Sequence, residues 1–174
     1  MIELLLRSNK GSALIMIPTR ELAKQVLDVV HSLLGFKSPL NTVSLIGGEL
    51  MSKQLTQLKR RPRIFVGTPG RINDHLERGT LNLHDTNFLV LDEIDRMLDM
   101  GFEVQINKIL KFVPPKRETL MFSSRIRFLS GLSPLSVIAV SASPIKRSSG
   151  SLVKKAIPAS LTSVLPRSSL SSLP

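Results

Sequence analysis

A chain of 174 residues with 42% hydrophobic content is long enough to bury a core of its own, so one domain is the starting expectation. The absence of cysteine excludes a disulfide framework and a thiolate metal site, and His31, His75 and His84 are too scattered to suggest zinc ligands or any other functional role. The net charge of +11 invites a nucleic-acid partner, because lysine and arginine release counterions when they neutralise phosphates. That charge is unevenly spread: all 13 acidic residues and 17 of the 24 basic ones lie in residues 1 to 122, whereas residues 123 to 174 hold 7 basic residues and no acidic one.

Taken in order, the chain opens on MIELLLR, where Glu3 precedes an apolar run that lacks the basic flank and the length of a secretory signal. Ala13 to Ile17 (ALIMI) reads as a buried strand, and Leu22, Val26, Val29, Val30 and Leu33 then recur at helical spacing. Thr42 to Ile46 (TVSLI) predicts a second strand, followed after Gly47 and Gly48 by a helix through Leu55 and Leu58. Arg63 to Val66 (RIFV) predicts a third, leading through Thr68-Pro69-Gly70-Arg71 into a short helix that ends near Gly79. Asn87 to Leu91 (NFLVL) predicts a fourth, then a charged turn and a helix from about Phe102 to Phe112. Thr119 to Phe122 predicts a fifth. This alternation is that of a parallel sheet flanked by helices. Lys59, Arg60, Arg61 and Arg63 read as a solvated surface cluster, and Met97 and Met100 as core filler.

After Phe122 the composition changes: 16 serines among 52 residues, no acids and no sustained apolar periodicity. The segment is expected to be a disordered basic tail. Its apolar run Leu135 to Val140 is too short to cross a bilayer, and a soluble, cytoplasmic protein without a membrane partner is expected.

Asp92-Glu93 directly after an apolar strand is the strongest chemical signal, because open α/β sheets bind ligands at the carboxyl ends of their strands. One aspartate there can hold magnesium when phosphates and waters complete the shell, and a neighbouring glutamate can orient an attacking water. The plainer reading is a pair of acids capping the next helix. Pro18-Thr19-Arg20-Glu21, Gly47-Gly48 and Thr68-Pro69-Gly70-Arg71 each offer hydroxyls, arginines or exposed backbone amides suited to phosphate oxygens, contacts that carry no base information. Singly, each reads equally well as a helix start, a turn or a loop.

Jointly, PTRELA at Pro18 to Ala23, TPGR at Thr68 to Arg71 and DEIDRMLDMGF at Asp92 to Phe102 resemble, in that order, the DEAD-box ATP-dependent RNA helicases. The resemblance runs from about residue 4 to Phe122. It implies a RecA-like domain of the P-loop NTPase type over 1 to 123 with a tail over 124 to 174, RNA as a sequence-independent partner, and ATP and magnesium as cofactors. It makes Asp92 the magnesium residue, acting through water, and Glu93 the residue that positions the hydrolytic water, the two together forming the nucleotide side. Asp95 and Ser123 would couple nucleotide state to RNA grip. Pro18, Thr19, Arg20, Gly47, Gly48, Thr68, Pro69, Gly70 and Arg71 would contact the RNA backbone. Position 94, usually alanine in the family, is Ile94 here.

The family also has a glycine-rich loop with lysine and serine or threonine ahead of these segments, an adenine-recognising segment, and a second RecA-like domain with further arginines. None of these occurs in the 174 residues. Met1 is therefore expected to be an internal methionine of a longer ancestor, with neighbouring strands left at unpaired edges. Past Ser123 the family pattern stops, and a shifted reading frame from residue 124 is the expected cause. Three functions follow: an incomplete helicase, active only with its missing parts supplied in trans; an ATP-independent RNA-binding module; or the product of a degraded gene.

Overall fold

Each of the five expected strands forms, because each run is apolar on both faces and so needs cover on both sides. They are β1 (Ser12–Met16), β2 (Thr42–Leu45), β3 (Ile64–Gly67), β4 (Thr86–Leu91) and β5 (Glu118–Ser123). The computed structural model describes residues 1–8, 10–35, 38, 40–123 and 137–141. A sixth strand, β6 (Val137–Ser141), completes one sheet of order β2-β3-β1-β4-β5-β6 in which every neighbouring pair runs parallel.

Alternate residues of the strands build two cores. Leu14, Met16, Leu45, Leu89 and Leu91 face one side, together with Ile72 and Leu76 of α4 (Pro69–Glu77), Ile94 and Met97 of α5 (Ile94–Asp99), and Ile106 and Ile109 of α6 (Glu103–Leu110). Ala13, Ile15, Ile64, Val66 and Phe88 face the other, under Leu5 of α1 (Ile2–Arg7) and Ala23 and Val30 of α2 (Arg20–Leu34). The remaining helix, α3 (Met51–Leu58), joins the first core through Leu58. A step of one residue along any inner strand therefore moves a side chain from one core to the other, which fixes the register.

Several expectations need correction. The outer edge of β5 is not left bare: β6 pairs along it from Thr119↔Val137 to Ser123↔Ser141. Residues 137–141 are thus a strand, not structureless tail, for which the β-branched run Val-Ile-Ala-Val is well suited. The rest of 124–174, and the frame reading attached to it, lies outside the described residues. The charged turn after β4 contains α5, whose 6 residues are too few for a periodic pattern to show but place Ile94 and Met97 one turn apart in the core. Helix α1 escaped for the same reason of length. Met100 is exposed and is not core. Arg63 is not free surface: its guanidinium donates to the Gly11 and Lys10 carbonyl oxygens, both at 2.7 Å, pinning β3 beside the entry to β1. Among the described residues no helix is long and apolar enough to cross a membrane.

Candidate nucleic-acid interface and carboxylate site

The parallel register brings the singled-out residues to one edge. Met16 is level with Gly67 on one side and Leu91 on the other, Leu45 with Gly67, and Leu91 with Met121. Pro18-Thr19-Arg20, Gly47-Gly48, Thr68 to Arg71, Asp92-Glu93 and Ser123 each begin one or two positions after these residues, so all lie along the carboxyl ends of adjacent strands.

On the β1-β2-β3 side stand two arginines, Arg20 and Arg71, with Glu21 and Glu49 beside them in the chain. Thr19 caps α2, its Oγ1 accepting from the Leu22 N–H at 3.3 Å. Arg20 therefore opens the helix at a terminus already made positive by the macrodipole, where a cation is locally unfavourable. A residue that breaks a local rule in this way points to use rather than to stability. Its exposed guanidinium lies against the Gly47-Gly48 turn: a Cβ at Gly48 would fall 2.5 Å from Arg20 Nη1, and the φ of +80° there disfavours side chains in any case. Helix α4 begins with Pro69 after Thr68, which makes no side-chain cap bond, so the N–H groups of the first turn point outward with no cap. Gly70 sits in that turn with open space where a Cβ would be and no positive φ, so neither packing nor backbone requires glycine. Arg71 differs from Arg20. Its side chain is only 14% exposed and points inward, with Nη1 3.4 Å from Gln54 Oε1 and 3.8 Å from Met51 Sδ, and Nε 3.9 Å from Asp74.

Gln54 and His75, which the sequence reading left without a role, are fully buried beneath this surface. Gln54 Nε2 donates to the Ile46 carbonyl at 2.9 Å, immediately before the Gly47-Gly48 turn, and its Oε1 lies 2.9 Å from His75 Nε2. His75 Nδ1 lies 2.9 Å from Thr80 Oγ1. Burial first, then the Arg71 guanidinium, and less strongly Arg78, hold His75 below the ordinary imidazole value, with Asp74 opposing. The only sequence signal was a glutamine and a histidine on the apolar faces of two short helices.

On the β4-β5 side negative charge gathers instead. The Asp92 N–H still bonds to the Met16 carbonyl at 3.0 Å, so the sheet extends one residue past β4 and aims the carboxyl group at the edge. Oδ1 accepts the Glu93 N–H at 3.0 Å. Burial pushes the Asp92 carboxyl above the usual carboxylate range; the Glu93 N–H works against this and the Glu93 charge adds to it. Glu93 itself adopts φ 49° and ψ 48°, a left-handed conformation that costs a non-glycine residue about 1–2 kcal/mol, and is held by Arg96 at 3.1 Å. Ile94 points away from both carboxylates into the core. Asp95 is half-buried one residue further along α5, and Ser123 half-buried at the end of β5. Among the described residues no group of three or more acidic or histidine side chains could enclose a metal ion.

An all-parallel sheet with a glycine turn and helix-borne arginines at one end of its carboxyl edge and a strand-end acidic pair at the other is a RecA-like α/β domain. The particular family is settled by comparison: the model of the DEAD/DEAH box helicases matches residues 1–126, and the chain belongs to that family. It is 48% identical over 118 residues to the ATP-dependent RNA helicase CshA of Listeria monocytogenes, a match covering 68% of this chain and 22% of that protein. It is 46% identical over 112 residues to the ATP-dependent RNA helicase DbpA of Escherichia coli, covering 64% of this chain and 24% of that one. Among solved structures, a DEAD box protein from the hyperthermophile Methanococcus jannaschii superposes with a TM-score of 0.68 at 39% identity, over 79% of this chain and 39% of that one. The chain spans about a quarter or less of the length of these curated relatives.

Proposed function

We propose that this chain binds the sugar-phosphate backbone of RNA, without base preference and without ATP, along the carboxyl ends of β1, β2 and β3. The observation that carries this is the Arg20 guanidinium lying on the Gly47-Gly48 turn beside the uncapped start of α4. Two helix N-termini, one exposed arginine and glycine-opened backbone converge there, and all suit phosphate oxygens. Arg20 makes direct contact; Arg71 is held inward and shapes the surface from beneath.

Asp92 and Glu93 form the magnesium side of an ATP site. A carboxyl group whose burial disfavours its charge suits a cation, which Asp92 would hold through water while Glu93 orients the attacking water. Magnesium, when bound, supplies charge neutralisation of the phosphates. Asp95 and Ser123 stand at the same edge as the coupling positions. Hydrolysis also needs a phosphate cradle, and the 174 residues contain no glycine-rich loop with the required lysine. A polypeptide of these 174 residues alone therefore hydrolyses ATP negligibly.

Fluorescence anisotropy with a labelled single-stranded RNA tests the binding reading. Affinity should fall with salt and with Arg20→Ala, and survive conversion of Lys146, Arg147, Lys154 and Lys155 to serine. Dependence on those four lysines and arginines alone, with no response to Arg20→Ala, would mean simple polycation attraction. RNA-stimulated ATP turnover by the pure chain would overturn the second half of the proposal.

A further inference from the structure

We propose that Gln54 and His75 form a positioning relay that locks the Gly47-Gly48 turn to Arg71, so that two loops from different strands meet an RNA backbone as one rigid surface. The inference rests on the RNA-binding reading above and assigns it two residues that touch no ligand.

The hydrogen-bond polarity of the relay is fixed from the Ile46 carbonyl to His75 Nε2. The Ile46 carbonyl can only accept, so Gln54 faces it with its amide nitrogen at 2.9 Å. Its Oε1 is then turned toward Arg71 Nη1 at 3.4 Å, a group that can only donate, and toward His75 Nε2 at 2.9 Å. A flipped amide would set NH2 against a guanidinium and an oxygen against a carbonyl. His75 Nε2 must therefore carry the hydrogen, while Nδ1 lies 2.9 Å from the Thr80 hydroxyl. That hydroxyl also reaches the His75 carbonyl at 3.0 Å, which accepts the Thr80 N–H at 2.9 Å as well. The chain of bonds thus runs from the loop after α4, through α4 and α3, to the last residue before the glycine turn, with Arg71 as a branch.

A core needs none of this. Gln54 and His75 are both fully buried, where apolar side chains of similar volume would stabilise as well and carry no risk of an unpaired polar atom. What a directional network supplies is a fixed relative placement of the groups it joins. Here those groups are the turn under Arg20 and the helix whose open first turn holds Gly70 and Arg71, two of the three segments that face the RNA.

The test uses the whole chain and labelled single-stranded RNA. Gln54→Leu and His75→Leu should each weaken RNA affinity by about tenfold, and the double variant should be no weaker than either, because one relay is cut only once. Gln54→Glu, close to the native volume, sets an oxygen against the Ile46 carbonyl in place of the donor, keeps an acceptor toward Arg71 and His75 while adding a charge there, and should also weaken binding; it carries the test where the leucine variants do not fold. Additive losses, or folded variants that bind RNA as the native chain does, would overturn the proposal. Nuclear magnetic resonance separates its failure from that of the RNA reading. A slowly exchanging His75 Nε2–H signal that vanishes with Gln54→Leu, together with shifted Gly47 and Gly48 amides, is expected even if no RNA binds. A histidine protonated at Nδ1 instead would refute the relay whatever the RNA result.

Discussion

The two ends of one sheet edge differ in how far the chain satisfies its own chemistry. Beyond β1, β2 and β3, Thr19 caps α2 and Gln54 links the residue before the glycine turn to the inward Arg71, by hydrogen bonds that need no ligand. Beyond β4, Asp92 has a single backbone N–H and a neighbouring like charge, and Glu93 is held in a left-handed conformation by one exposed ion pair. A surface for a polyanion can be assembled from cations and N–H groups placed apart and braced from below. A site for a cation requires anions placed together, and their mutual repulsion and desolvation are relieved only when the cation arrives.

The largest expected effect probes the carboxylate side. Ile94 is fully buried and, with Met97, anchors the short α5 in the core against β5. Ile94→Ala should cost about 2–5 kcal/mol in chemical denaturation, the usual range for emptying a core isoleucine. RNA affinity of the folded variant should stay close to native, because Arg20 and Gly48 stand on other elements; a parallel loss would show that the two ends are one mechanical unit. Next in size, Arg20→Ala should weaken RNA binding by about tenfold and flatten its logarithmic salt slope by roughly 0.7, the share of one phosphate on a single strand. A weaker affinity with an unchanged slope would mean that Arg20 shapes the glycine turn without neutralising phosphate.

That contrast was only half legible in the sequence. Strands 13–17, 42–46, 63–66, 87–91 and 119–122 could be read because parallel strands buried on both faces are continuous apolar runs, and the site segments because ligand-facing residues follow such runs directly. Helices α1 and α5 escaped because 6 residues make under two turns, too few for a 3.6 period to be distinguished from a loop. Strand β6 escaped because its partner is chosen by an edge left open elsewhere in the chain, a fact of tertiary structure. Arg20 and Arg71 looked alike, each in the first turn of a helix behind a proline and threonine pair, yet one faces outward and the other is turned inward by Gln54. Nothing local distinguishes them, since the difference is made by a residue 17 positions away from Arg71.

Smaller in scale, Gly70→Ala tests the uncapped start of α4. With open space at the Cβ position, alanine should leave the fold unchanged or stabilise it by about 0.5–1 kcal/mol, as expected when glycine is replaced within a helix. RNA affinity should nonetheless fall several-fold, because the methyl group stands where the backbone would approach. Unchanged affinity would remove Gly70 from the interface while leaving Arg20 in it.

The smallest effect is also the most direct contrast, because the two ends should titrate in opposite senses. The His75 value lies below its ordinary 6.5, so the unfolded chain takes up its proton first. Its contribution to stability is complete above that pH and is lost as pH falls through 6.5 toward the folded value. Asp92 lies above its ordinary 3.8, so here the folded chain holds the proton longer; its contribution is complete below 3.8 and is lost as pH rises through the folded value. Thermal denaturation from pH 7.5 to 4 should therefore show His75→Gln flattening the neutral limb and Asp92→Asn flattening the acidic one, each without altering the other. Asp92→Asn should also raise the melting temperature slightly at pH 7, by replacing a partly desolvated acid with a neutral amide. Added magnesium should narrow that gap if Asp92 is its ligand, since the ion relieves the native chain and has nothing to bind in the variant. A gap indifferent to magnesium would leave the raised Asp92 value as a matter of burial alone, and the carboxylate end of the edge would lose its claim to a metal.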